Sequence, residues 1–169
     1  MKTGTFFVRV WRIVSILGFI LSLFISYIAY PESVAVRFDE LNRAVQTIDR
    51  ELIFYLATAM FIINNTLLRA VAKLFVRVPI NSLPSFVQER WAVHRSELNE
   101  IITNWFSALA SAVNTVAALG LFVLSSLNRG DRSMQPYDYA WLLPVTMAIF
   151  MAVLVSLPIR LLQKPSEDA

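Results

Sequence analysis

The chain contains no cysteine, and that absence removes disulfides, thiol redox chemistry, thiolate nucleophiles, iron–sulfur clusters and covalent haem attachment together. Histidine is almost as scarce. His94 stands alone, so a histidine-rich metal site within one chain is excluded. Charge is scarce as well: 16% of residues are charged against 57% hydrophobic, and the mean hydropathy of +0.59 lies outside the usual soluble range. The small positive balance, +3 with a pI near 9.5, comes from basic residues scattered around apolar runs rather than gathered on one face. It reads as a membrane-topology signal. Neither a nucleic-acid partner nor a cofactor is implied.

What the sequence does contain is four long runs without a charge, at 13–31, 52–68, 101–128 and 139–159. A hydrocarbon core about 30 Å thick requires roughly 20 apolar residues of helix, because each backbone polar group in lipid must be bonded within its own segment. The expectation is an all-α membrane protein, a bundle of four transmembrane helices forming one domain, with spans near 11–30, 52–75, 101–127 and 139–162. The second run is short and must borrow snorkelling flanks. The first resembles a secretory signal in its basic start, Lys2, Arg9 and Arg12. Its length and the lack of a small-x-small site in Tyr27-Ile28-Ala29-Tyr30-Pro31 favour a retained helix.

Orientation follows from the basic residues near the span ends. The N-terminal segment, the middle loop with its helix ends and the C-terminal tail hold ten of the fifteen, which places both termini on the cytoplasmic side. Trp11, Tyr27, Tyr30, Trp105, Tyr137, Tyr139 and Trp141 fall near the expected interfaces, where amphipathic rings settle.

The loops are not featureless. In the first outside loop, Val34, Val36 and Phe38 alternate as in an extended strand, and Leu41, Ala44, Val45 and Ile48 follow at the spacing of an amphipathic helix. After Pro79 and Pro84, Ser85 and Gln88 form a potential capping box. An interfacial cytoplasmic helix should start there and lead into the third span, with Trp91, His94, Leu98 and Ile102 on one stripe. Asn128-Arg129-Gly130-Asp131 reads as a turn and Pro136 delays the fourth span, in which Met147 and Met151 are expected as core filling.

Two stripes are candidates for function. Asn65, Arg69, Lys73 and Arg77 recur every four residues from the second span into the cytoplasm. They fit either a lipid-headgroup or anionic-partner contact, together with Trp91 and His94, or a snorkelling end that sets topology. In the third span Asn104, Ser107, Ser111, Asn114 and Thr115 put small polar side chains on one face, as a helix–helix interface requires. A proton or cation route normally requires a buried charge, and none of the four runs contains one. Asp39, Glu40 and Asp49 are loop carboxylates without an adjacent nucleophile or ligand set.

The stretch Tyr30-Pro31-Glu32-Ser33-Val34-Ala35-Val36-Arg37-Phe38-Asp39, directly after a first span, resembles the Pro-x-x-Val-x-Val-His-Phe-type loop of the DUF1648 family of small bacterial membrane proteins, which includes regions of sporulation-toxin immunity proteins. Arg37 stands where that family usually has histidine, the glycine turn is missing, and Trp91 corresponds to a cytoplasmic-loop tryptophan of some members. The resemblance implies a bacterial inner-membrane location. The combined expectation is a non-enzymatic membrane protein that works through contacts with lipid, other membrane subunits or itself, as an accessory subunit or an immunity-like or sensory factor. The alternative is a small homo-oligomeric transporter or channel.

Overall fold

The computed structural model describes residues 3–41, 43–129, 135–163 and 165. Lys2, Gly130, Asp131, Arg132 and Lys164, which enter the topology and turn readings, lie outside the described residues.

Helix α1 (Thr3–Ala29) leads into a hairpin of β1 (Ser33–Phe38) and β2 (Ala44–Asp49). Then come α2 (Arg50–Arg77), the short α3 (Ser85–Trp91), α4 (Arg95–Leu127) and α5 (Leu142–Leu162). Four helices are long and apolar enough to cross a membrane. The 28 residues of α2 extend about 42 Å at 1.5 Å per residue, so the helix overshoots a 30 Å core and carries its basic end beyond it. The outward faces are those of a protein solvated by lipid: Phe7, Leu21, Ile28, Ile63, Leu143 and Met147 are all well exposed. Met147 and Met151 therefore face outward rather than filling the core, because α5 touches its neighbours along one narrow line around Val153.

Helix α4 is the centre. Both α1 and α2 pack mainly on it, and α5 packs on its other side. Helices α1 and α2 also touch directly, where Phe19 stacks on Phe61 with ring centroids 4.7 Å apart and, nearer the hairpin, Phe24 and Tyr27 meet Phe54. The small residues of α4 explain its position, since Ala108, Ala110, Ser111 and Ala112 allow close backbone approach.

The segment between α1 and α2 is structured, but not as a strand followed by a helix. Leu41, Ala44, Val45 and Ile48 do not form a helical stripe. Ala44 to Asp49 pair antiparallel with β1, Val34 opposite Ile48, with irregular register after Ala35. Two turns of helix could not repay their nucleation, whereas β1 offers ready partners, and Asp39 closes the connection by accepting from the N–H groups of Leu41 and Arg43. Val34 is fully buried against Phe19, Leu23, Tyr30, Ile53 and Leu121, so the hairpin caps this end of the bundle. Asn128 pins it. Its side chain accepts from Ala35 N–H at 2.7 Å and donates to Ala35 C=O at 3.0 Å, standing where a third strand would.

At the opposite, basic end, α3 is not continuous with the third span. The chain breaks at Ala92–His94, and α4 starts at Arg95. Pro84, not Ser85, occupies the helix N-cap, and Gln88 donates to Leu83 C=O and Asn81 C=O instead of completing a capping box. Trp91 does not lie at an interface. It is buried with Ala72, Val87, Leu98, Ile102 and Phe106, and its indole N–H donates to Leu161 C=O at 3.1 Å. Arg90 donates to Leu162 C=O, and Arg95 to Val76 C=O and Val78 C=O. These donors satisfy carbonyls left unpaired at the ends of α5 and α2, so α3 and the start of α4 clasp two helix C-termini together.

Candidate functional site

Toward the basic end, beyond the ring contacts of α1 with α2, a gap lies between these two helices with α4 as its floor. A half-open cavity of about 420 Å³ occupies it. Arg12 of α1 forms one wall, and Arg69, Lys73 and Arg77 of α2 form the other. Leu68, Ala72, Val76, Phe106 and Ala110 line the rest with apolar surface, alongside Thr103 and Ser107. Spacing four apart brings the three α2 cations onto one face, at the end of α2 away from the hairpin.

The electrostatics are one-sided. Among the described residues no carboxylate lines this cavity or lies within ion-pair distance of its four cations. Arg12 and Arg69 are close enough to repel. Arg12 is also held in place: Nη1 donates to Ser107 Oγ at 3.2 Å, and Ser107 in turn donates to Thr103 C=O at 2.9 Å. Arg12 Nη2 is buried and has no hydrogen-bond partner among the described residues. A buried donor left in this state favours an arriving acceptor.

A shallower groove of about 510 Å³ shares Arg69 and Lys73 and continues along α1 and α2 past Ile16, Phe61, Thr66 and Ala70. The cationic cavity thus adjoins, through Arg69 and Lys73, a groove whose other lining residues are Ile16, Phe61 and Ala70 together with Asn65 and Thr66. On the other side of α4, a cavity of about 370 Å³ lies among α1, α4 and α5, lined by Trp11, Trp105, Val153 and Asn104, with Arg160 its single cation. Trp105 donates to Val153 C=O at 2.7 Å and Trp11 to Thr115 Oγ1 at 3.2 Å, so both rings face inward as helix-to-helix ties instead of lying in an interfacial belt. Tyr30 likewise points inward, donating to Leu121 C=O, whereas Tyr137 and Trp141 are exposed.

The residues singled out from sequence separate into distinct places. Arg69, Lys73 and Arg77 share the basic cavity. Asn65 borders the shallow groove, but its amide is spent inside the protein, donating to Phe61 C=O at 2.9 Å and to Asn114 Oδ1 at 3.2 Å. Trp91 belongs to the clasp, and His94 sits half-buried at the N-cap of α4, apart from the cavity. On α4, Asn104 donates to Thr5 Oγ1, Ser107 accepts from Arg12, and Thr115 accepts from Trp11. Ser111 is fully buried, and Asn114 joins Asn64 and Asn65 in an amide cluster between α2 and α4. Sequence reasoning missed Arg12 as a site residue. Its signal was positional, since it directly precedes the first charge-free run, but only tertiary packing puts it opposite Arg69.

Among the described residues no three metal-ligating side chains stand together. The chain matches no protein-family model, no curated protein and no solved structure at a significant level.

Proposed function

We propose that this multi-pass membrane protein is a non-catalytic binder of an anionic amphiphile, held with its charged head among Arg12, Arg69, Lys73 and Arg77 and its tail in the groove past Ile16 and Phe61. One observation carries the reading: four cations without a carboxylate surround a half-open cavity whose remaining walls are apolar. Such a chamber suits a negative headgroup with hydrocarbon attached better than a free hydrophilic anion. The polar face of α4 is committed to contacts within the chain, which favours binding over conduction. In this reading the basic end faces the cytoplasm of a bacterial inner membrane. The bias of basic residues and the DUF1648-like loop support that placement. Occupancy would then act on a further membrane subunit or a second copy, in an accessory or sensory role.

The test is purification in mild detergent followed by native mass spectrometry with added lipids. Anionic lipid should remain bound in preference to phosphatidylcholine, and Arg69→Gln with Lys73→Gln should remove the preference. Equal retention of both lipids by the unaltered protein would overturn the reading, as would turnover of a bound lipid.

A further inference from the structure

The charge, the forked donor and the layout of the cavity narrow the headgroup. We infer that it is a phosphate monoester attached to a lipid, with close to two negative charges, in preference to the singly charged phosphodiester of ordinary glycerophospholipids. The inference rests on the anionic-amphiphile reading above and specifies its ligand.

Charge comes first. Four basic side chains converge with no acidic residue among the described residues lining the cavity, and Arg12 and Arg69 repel each other while it is empty. A diester brings one negative charge to this site. A monoester near neutral pH brings between one and a half and two, since its second ionisation lies near pH 6.

Geometry points the same way. Arg12 is held against Ser107 through Nη1, and its Nη2 is buried without a hydrogen-bond partner among the described residues. With Nη1 given to Ser107, Nη2 is the end of the guanidinium left to bond a phosphate oxygen, once it turns toward the cavity. Arg69 and Lys73 stand on the opposite wall, one helical turn or about 6 Å apart, and approach the same anion from the other side. A diester has two terminal oxygens and must present them to both walls at once. A monoester has three, enough to engage Arg12 and still meet α2. The ester oxygen then leads away toward Ile16 and Phe61, where the shallow groove receives hydrocarbon.

The experiment places the full chain in phosphatidylcholine nanodiscs and titrates it with phosphatidic acid, with phosphatidylglycerol and, separately, with soluble inorganic phosphate. Phosphatidic acid is expected to bind about tenfold more tightly than phosphatidylglycerol. Arg12→Lys keeps the charge and the fold but removes the fork, and should narrow the ratio to about twofold. Arg160→Gln, in the separate cavity behind α4, should leave the ratio unchanged. Equal binding of the two anionic lipids, both above phosphatidylcholine, overturns the monoester inference and leaves the anionic-amphiphile reading intact. Loss of any preference over phosphatidylcholine overturns both. Inorganic phosphate that displaces phosphatidic acid at matched concentration overturns the assignment to a lipid, because the headgroup alone would then suffice.

Discussion

The amide cluster between α2 and α4 gives a stability prediction whose size follows from its bonds. Asn114 Oδ1 accepts from Asn64 Nδ2 at 2.9 Å and from Asn65 Nδ2 at 3.2 Å, and Asn114 Nδ2 donates to Asn65 Oδ1 at 3.3 Å. Asn64 also donates to Ala110 C=O at 3.1 Å. In membrane proteins such interhelical bonds average about 0.6 kcal/mol and reach about 1.7. Asn114→Ala removes three of them and should destabilise the fold by roughly 2 kcal/mol. The figure stays modest because the freed amide donors keep partners, Asn64 with Ala110 C=O and Asn65 with Phe61 C=O, while Asn65 Oδ1 loses its donor. Asn64→Ala removes two and should cost about 1 kcal/mol, with a coupling in the double variant of about 0.6 kcal/mol for the shared bond. The assay is unfolding in mixed micelles with increasing dodecyl sulfate, followed by tryptophan fluorescence and closed as a double-mutant cycle. Strict additivity, with each single change below about 0.3 kcal/mol, would refute the reasoning and assign the α2–α4 contact to packing alone.

Three further outcomes are expected. Asn128→Ala should free the hairpin from the bundle, raising hydrogen exchange at the Ala35 amide while exchange in the middle of α4 stays unchanged. Trp91→Phe loses the bond to Leu161 C=O and should cost about 1 kcal/mol, whereas Trp91→Ala empties a fully buried site and should cost about 3–5 kcal/mol, both read from the same micelle unfolding. The backbone N–H of Arg43, and then its guanidinium and the Leu41 N–H, hold the Asp39 carboxyl below the ordinary aspartate range. Because the folded value is the lower one, the turn's stabilisation is fully present above about pH 4 and is lost as pH falls through the folded value. The Leu41 and Arg43 amide resonances should report that loss, and Asp39→Asn should abolish the titration.

Much of this could be read from the chain because lipid imposes a simple rule. Charge-free runs of sufficient length must be helical, and each of the four falls largely within one long helix, although α1 starts ten residues before its run and α2 continues nine residues past its own. The alternation of Val34, Val36 and Phe38 is likewise a local signature, and it lies in β1. The misread positions are those where a local pattern had two solutions. Leu41, Ala44, Val45 and Ile48 satisfy helical spacing over barely two turns, and a paired strand prevailed because β1 was already present to receive it. Ser85 and Gln88 have capping-box spacing, yet Pro84 fixes the backbone so that it serves as N-cap itself. Trp91 fits an interfacial residue by composition; only the arrival of the α5 C-terminus gives its N–H a buried acceptor.

The basic site divides the same way. The three α2 cations lie on one face because a helix repeats every 3.6 residues, and that much is determined by sequence spacing alone, as are the four apolar helices and the bias of basic charge to one end. The cavity is a product of tertiary structure. It exists because α1 and α2 each pack mainly on α4, their ring contacts lying at Phe19, Phe24 and Tyr27 of α1, which leaves Arg12 and Arg69 on opposite walls of a gap. Contacts between residues 57 positions apart in the chain leave no local trace, and the buried, unpaired Nη2 of Arg12 arises only when three helices have converged.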